Sequence, residues 1–126
     1  MRPHEKLDVW IKSVDLVVRI YKETERFPKE EKFGLTSQVR RAAVSVPANI
    51  AEGAGRRSEK EFGYFLSNAQ GSASEVETEL LIACRLGYLD PNAFTELRES
   101  LDKIGQMLHG LARHIRGKSE TKNRKP

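Results

Sequence analysis

Most of what announces a chemistry is missing from this sequence. One cysteine, Cys84, rules out an intramolecular disulfide, and its place on an apolar helical face marks it as core filler rather than a nucleophile. Three histidines, His4, His109 and His114, lack the Glu-x-x-His spacing with which facing helices hold metals, since Gln106 and Leu111 stand where the glutamates belong. No apolar run approaches the ~18 residues of a membrane span, and Met1 to Asp8 holds no signal-like apolar stretch, so the expected location is the cytoplasm. A phosphate-cradling loop is also lacking. Gly53-Ala54-Gly55 precedes Arg56-Arg57 at the expected C-terminal end of a helix, where the dipole repels anions. Glu75, Glu77 and Glu79 have no partner acid or nucleophile at a fixed spacing and read as a solvated or interface-facing strip. The expectation is a non-enzyme with no cofactor, no metal and no small-molecule substrate.

Net charge is scarce as well, once it is located. The formal charge is +4, but beyond Ile115 five basic residues (Arg116, Lys118, Lys122, Arg124, Lys125) face only Glu120. The whole excess therefore sits in the last residues, and residues 1–115 are balanced. Residues 118–126 read as a basic, disordered tail and residues 1–117 as one domain, long enough for a core without staples.

What is present is helical periodicity. Leu7, Trp10, Ile11, Val14, Val17, Val18 and Tyr21 fall within about 120° of a helix spanning about Lys6 to Arg26, and this is the expected core face. Val9, Leu16 and Ile20 form a narrower stripe nearly opposite, expected to be a contact between subunits of an oligomer. Phe27-Pro28 ends the helix. A second helix runs to about Glu52, with Leu35, Val39, Ala42, Val46 and Ile50 on one face. Pro47 lies inside it and predicts a kink, or a break into two helices, near Val44 to Pro47. Gly53 and Gly55 are expected to stop it. Ser58 with Glu61 forms a capping box for a third helix, Ser58 to Leu86, whose stripe includes Phe62, Phe65, Leu66, Ala69, Ala73, Val76, Leu80 and Ala83. Asp90-Pro91 opens a fourth, with Phe94, Leu97, Leu101, Ile104, Leu108, Leu111 and Ile115 at spacings of three and four, closed by Gly117. Short links and no strand alternation specify an all-α, up-down-up-down antiparallel four-helix bundle with a proline-kinked second helix.

The positive charge outside the tail gathers at Arg40-Arg41 and Arg56-Arg57, which bracket the second helix. With Lys118, Lys122, Arg124 and Lys125 these are the candidate nucleic-acid contacts, because arginine pairs suit phosphate oxygens. Glu30, Glu31, Glu59 and Glu61 are near enough in sequence to neutralise both pairs. Pro47, Asn49, Glu52 and Gly53 are assigned structural roles, Glu52 as a salt bridge or cap with an arginine.

Leu7-Asp8-Val9-Trp10, Phe27-Pro28, the run from Gln38 to Gly53 containing Arg-Arg-Ala-Ala-Val-Ser-Val-Pro-Ala-Asn-Ile-Ala-Glu-Gly, Glu61-Phe62 and Leu86-Gly87-Tyr88 together resemble the bacterial 23S rRNA intervening sequence proteins, the S23 ribosomal protein family. The resemblance spans roughly residues 5 to 115. It implies a four-helix bundle assembled as a homopentamer, often encoded within or beside inserts in large-subunit rRNA genes. A related branch, the accessory variability determinant of diversity-generating retroelements, implies binding of nucleic acid, RNA or DNA, and of a nucleic-acid enzyme through a basic surface. This chain departs from that branch in its charge-neutral bundle. The expected function is a non-enzymatic oligomeric adaptor associated with nucleic acid, the alternative being a protein–protein assembly module.

Overall fold

The computed structural model describes the backbone of residues 1–123 and the side chains of residues 1–118. Four helices carry the chain: α1 (Asp8–Thr24), α2 (Leu35–Ala54), α3 (Glu59–Arg85) and α4 (Pro91–Asn123), with no strand among the described residues. Each helix packs on its sequence neighbours, α4 closes the ring against α1, and the diagonal pairs stay apart. This is the expected antiparallel bundle.

Local signals place two of the four helix starts. The Ser58 Oγ accepts from the Glu61 N–H at 3.0 Å, and the Asp90 Oδ2 accepts from the N–H groups of Asn92 and Ala93, so α3 and α4 begin at their expected caps. The α2 cap comes from farther away. Glu31, in a 3-10 turn, accepts the Leu35 N–H at 3.1 Å and the Tyr88 hydroxyl at 3.3 Å, tying the start of α2 to the α3–α4 link. After α3, Gly87 adopts φ +82°, the left-handed turn that glycine allows without strain.

The core is made of Leu16, Ile20, Val39, Val46, Ile50, Leu66, Val76, Leu80, Leu97, Ile104 and Leu108 with the alanines of α2 and α3. Here α1 corrects its expected orientation. Val9, Leu16 and Ile20, expected between subunits, are buried within the chain, whereas Ile11 and Val18 of the expected core face are 44% and 49% exposed. The buried line is Val9, Ser13, Leu16, Ile20, Thr24. Two hydroxyl residues complete it because each satisfies itself: Ser13 Oγ donates to the Trp10 carbonyl and Thr24 Oγ1 to the Ile20 carbonyl, both at 2.8 Å. Trp10 and Val17 flank this line and are half-buried.

Two expected helix stops also differ. Gly53 lies inside α2, buried, and the chain leaves the helix at Gly55. Helix α4 continues through Gly117 to Asn123, so residues 118–123 are helical, while Arg124 and Lys125 lie outside the described residues. Pro47 is accommodated within α2, where neither a break nor a change of helix type occurs. Proline offers no N–H to the Ala43 carbonyl. One turn on, the Asn49 Nδ2 donates to the Ser45 carbonyl at 2.7 Å, and the Ser45 hydroxyl donates to that of Ala42 at 2.9 Å, so side chains brace the helix on both sides of the proline.

Candidate nucleic-acid interface

The arginine pairs do not form one patch. The rise of α2 sets Arg40-Arg41 and the Arg56-Arg57 turn about 20 Å apart along its axis. The C-terminal part of α4 lies at the Arg56-Arg57 end, since His109, Ala112 and Arg116 share a groove with Glu59, Lys60 and Gly63 of α3. Arg56, Arg57 and Lys118 therefore belong to one end of the bundle and Arg40 and Arg41 to the other. Lys122 has a described backbone only, on α4.

At the first end the charge is partly neutralised. Arg56 forms an ion pair with Glu52, one turn back on the same helix, and its guanidinium lies 5.0 Å from the centre of the Phe65 ring. Glu52 thus takes the expected arginine partner, in the open rather than buried. Arg57 is exposed, with Glu59 and Glu61 in the first turn of α3 beside it in sequence.

At the other end the two arginines have different jobs. Arg40 reaches back to α1, where its Nε donates to Thr24 Oγ1 at 2.8 Å and its Nη2 to the Tyr21 carbonyl at 3.2 Å. Its guanidinium also stacks 4.6 Å from the centre of the Tyr21 ring. A cation on the last-turn carbonyls of α1 suits the negative end of that helix, so Arg40 holds the α1–α2 corner together. Arg41 is exposed and makes no ion pair among the described residues. Neither Glu30 nor Glu31 forms an ion pair with these arginines among the described residues, and the Glu31 carboxylate bonds instead to the Leu35 N–H and the Tyr88 hydroxyl.

Between them lies a groove lined by Tyr21, Lys32, Phe33, Thr36, Ser37, Arg40, Arg41 and Val44. Three cations, two aromatic rings and two hydroxyls line it, and no carboxylate does. Phe33 is 89% exposed, with Lys32 Nζ 5.4 Å from its ring centre. Sequence reading found the arginines and missed Tyr21, Lys32 and Phe33. The signal available was Lys32-Phe33-Gly34, an aromatic beside a cation in a weakly helical link. Tyr21 was assigned to the core.

The described residues hold no cluster of His, Cys, Asp and Glu able to bind a metal, and no helix among them is long and apolar enough to cross a membrane. Cys84 is a half-buried free thiol that packs against the core.

Comparison with known proteins agrees with the fold. The bundle superimposes with a TM-score of 0.75 on a crystal structure of a protein of unknown function from the S23 ribosomal protein family of Bacteroides thetaiotaomicron, 26% identical, covering 82% of this chain and 97% of that one. No curated protein sequence matches. The sequence model for the 23S rRNA-intervening sequence protein matches residues 5–110, and with that match over most of its length the chain belongs to the 23S rRNA-intervening sequence protein family.

Proposed function

We propose that the protein is a non-enzymatic, oligomeric adaptor associated with nucleic acid, and that the α1–α2 groove is the surface it offers to the phosphate backbone. The observation that carries this reading is the groove's lining of Lys32, Arg40 and Arg41 without a carboxylate, in a bundle whose charges balance only when these three are counted. Charge concentrated in this way binds by releasing counterions, so affinity falls with salt. A homopentamer, as the family resemblance implies, would repeat the groove and multiply a modest affinity.

The test is retention of a labelled RNA strand as salt is raised. Lys32→Ala with Arg41→Ala removes two exposed cations that the fold does not use, and should lower the slope of log K against log salt by about 1.4. Arg40 is left intact because its removal would loosen the α1–α2 corner. An unchanged slope in the double variant would overturn the assignment of this groove.

A second reading, a protein–protein assembly module, is favoured by Ile11 and Val18, which stand exposed a heptad apart on the outer side of α1 and continue towards Tyr21. Light scattering at low and high salt separates the two parts of the proposal. A pentamer that persists in high salt supports apolar assembly through that side, whereas a monomer at both salts removes the oligomer and leaves the nucleic-acid test standing.

A further inference from the structure

We infer that the α1–α2 groove takes an unpaired nucleic-acid strand, one base of which stacks on Phe33. The inference rests on the nucleic-acid reading above and specifies the form of the ligand. Its starting point is the ring itself. Phe33 is the most exposed aromatic of the chain at 89%, and it contributes nothing to the core around which the rest of the corner is built. An isolated exposed apolar residue is ordinary. One that shares a groove with a second ring and three unopposed cations has a specific complement.

The complement follows from what each form of nucleic acid exposes. A duplex presents phosphates outwards and hides the faces of its bases in the stack, so it could use Lys32 and Arg41 but leave Phe33 in water. An unpaired strand presents both a charged backbone and free π-faces, and proteins that hold such strands combine a basic track with rings on which bases stack. In the groove the two features are adjacent. Lys32 Nζ lies over one face of the Phe33 ring, 5.4 Å from its centre, which leaves the other face of this exposed ring for a base and sets a cation within reach of the strand's backbone. The same lining includes the Arg40 guanidinium, 4.6 Å from the centre of the Tyr21 ring and held there by its hydrogen bonds to Thr24 and to the Tyr21 carbonyl, a fixed cation for the strand's backbone. Ser37 and Thr36 add hydroxyls to the wall. Ring stacking reads no particular base, so the expected preference is for unpaired over paired nucleic acid rather than for one sequence.

The experiment uses the full chain and fluorescein-labelled RNA and DNA strands of about 12 nucleotides, alone and annealed to their complements, a length typical of such sites. Binding is read by anisotropy. A 2-aminopurine in the middle of the strand reports stacking by quenching. The expected result is tighter binding of strand than of duplex, with quenching. Phe33→Ala should weaken strand binding about tenfold and abolish the quenching, leave the duplex unchanged and keep the salt slope, while Phe33→Tyr restores both. Equal binding of strand and duplex, or a silent Phe33→Ala beside a damaging Lys32→Ala with Arg41→Ala, overturns the stacking and keeps the nucleic-acid function. No binding of any of the four ligands overturns both. A change of mass in solution for Phe33→Ala would place the ring against another copy of the chain, and that also overturns it.

Discussion

The seam between α2 and α3 and the seam between α4 and α1 hold the same bundle with opposite materials. Along α2–α3 the residues are small. Gly53 lets the backbone of α2 settle on Phe62 and Phe65, the Ser45 and Ser72 hydroxyls meet at 2.5 Å, and Ala42, Ala69 and Ala73 fill the crossing. Along α4–α1 the residues are long and charged. An exposed ion pair, Arg19 to Glu96, spans it, and Lys12, Asp15, Arg19 and Lys103 rim a groove whose floor is Leu16 and Ile104. Helices approach as closely as their contact side chains allow, so the first seam excludes water and the second leaves a cleft.

Isoleucines at the two seams put the difference to its strongest test. Ile50 and Ile104 are both fully buried, at 0% and 1% exposure, but Ile104 borders the open groove. Truncation to alanine costs the lost transfer energy plus a term for the cavity that remains. Ile50→Ala is expected to destabilise by about 4 kcal/mol and Ile104→Ala by about 2 kcal/mol, because neighbours can collapse into the second site. Urea denaturation of the two variants decides it; equal losses would break the comparison.

Gly53 gives the next largest effect. A Cβ there would stand 2.8 Å from the Phe65 Cβ and 2.9 Å from the Phe62 Cδ1, distances that force the helices apart. Against this, alanine gains roughly 1 kcal/mol of helix propensity. The net expectation for Gly53→Ala is a loss of about 1–2 kcal/mol. Gly105 of α4 is the control, since a Cβ there meets nothing within 4 Å and Gly105→Ala should stabilise by up to about 1 kcal/mol. Melting temperatures moving in opposite directions are the expected outcome.

These positions also mark how far the fold was legible. Ser58, Asp90 and the three-and-four spacing of α4 act within a turn or two of themselves, and they were read correctly. Gly53 was read as a stop because its reason, two phenylalanines on the next helix, is not local. On α1 the apolar count favoured the wrong side, since Ser13 and Thr24 look polar until their hydroxyls are seen bonded to the preceding turn. The candidate site was half legible. Arg40 and Arg41 carry charge that any reading finds, but that one is bound to α1 and the other makes no ion pair among the described residues follows only from the packing of the folded corner. The exposure of Phe33 is likewise a property of the folded corner.

Close packing has a cost at Glu79. It lies two turns beyond Ser72 on the same stripe of α3, the flank that meets α2, and is only 7% exposed, with Oε1 lacking any hydrogen-bond partner among the described residues. Burial first, and the nearby Glu75 second, raise its pKa above the usual carboxylate value. The folded state then binds the proton more tightly than the unfolded chain, so stability declines as pH rises from the ordinary glutamate range through the raised value, and is level above it. Glu79→Gln should remove that decline and stabilise the protein at neutral pH by about 1 kcal/mol. Denaturation midpoints across this pH range measure it, and a variant whose decline matches the parent's would assign the pH dependence elsewhere.

The smallest effect is expected where the structure draws the most visible link. Arg19 and Glu96 join α1 to α4, yet their side chains are 37% and 63% exposed, and a pair so open to water gains little over two hydrated ions while immobilising two long side chains. Arg19→Ala should therefore cost at most about 0.5 kcal/mol, less than any change proposed for the α2–α3 seam. The double cycle with Glu96→Ala isolates the pair itself, and its coupling should shrink further in high salt, where exposed charges are screened. A coupling above about 1 kcal/mol that survives salt would mean that the groove beneath the pair is drier than its lining of Lys12, Asp15 and Lys103 implies, and that the α4–α1 seam is held by charge after all.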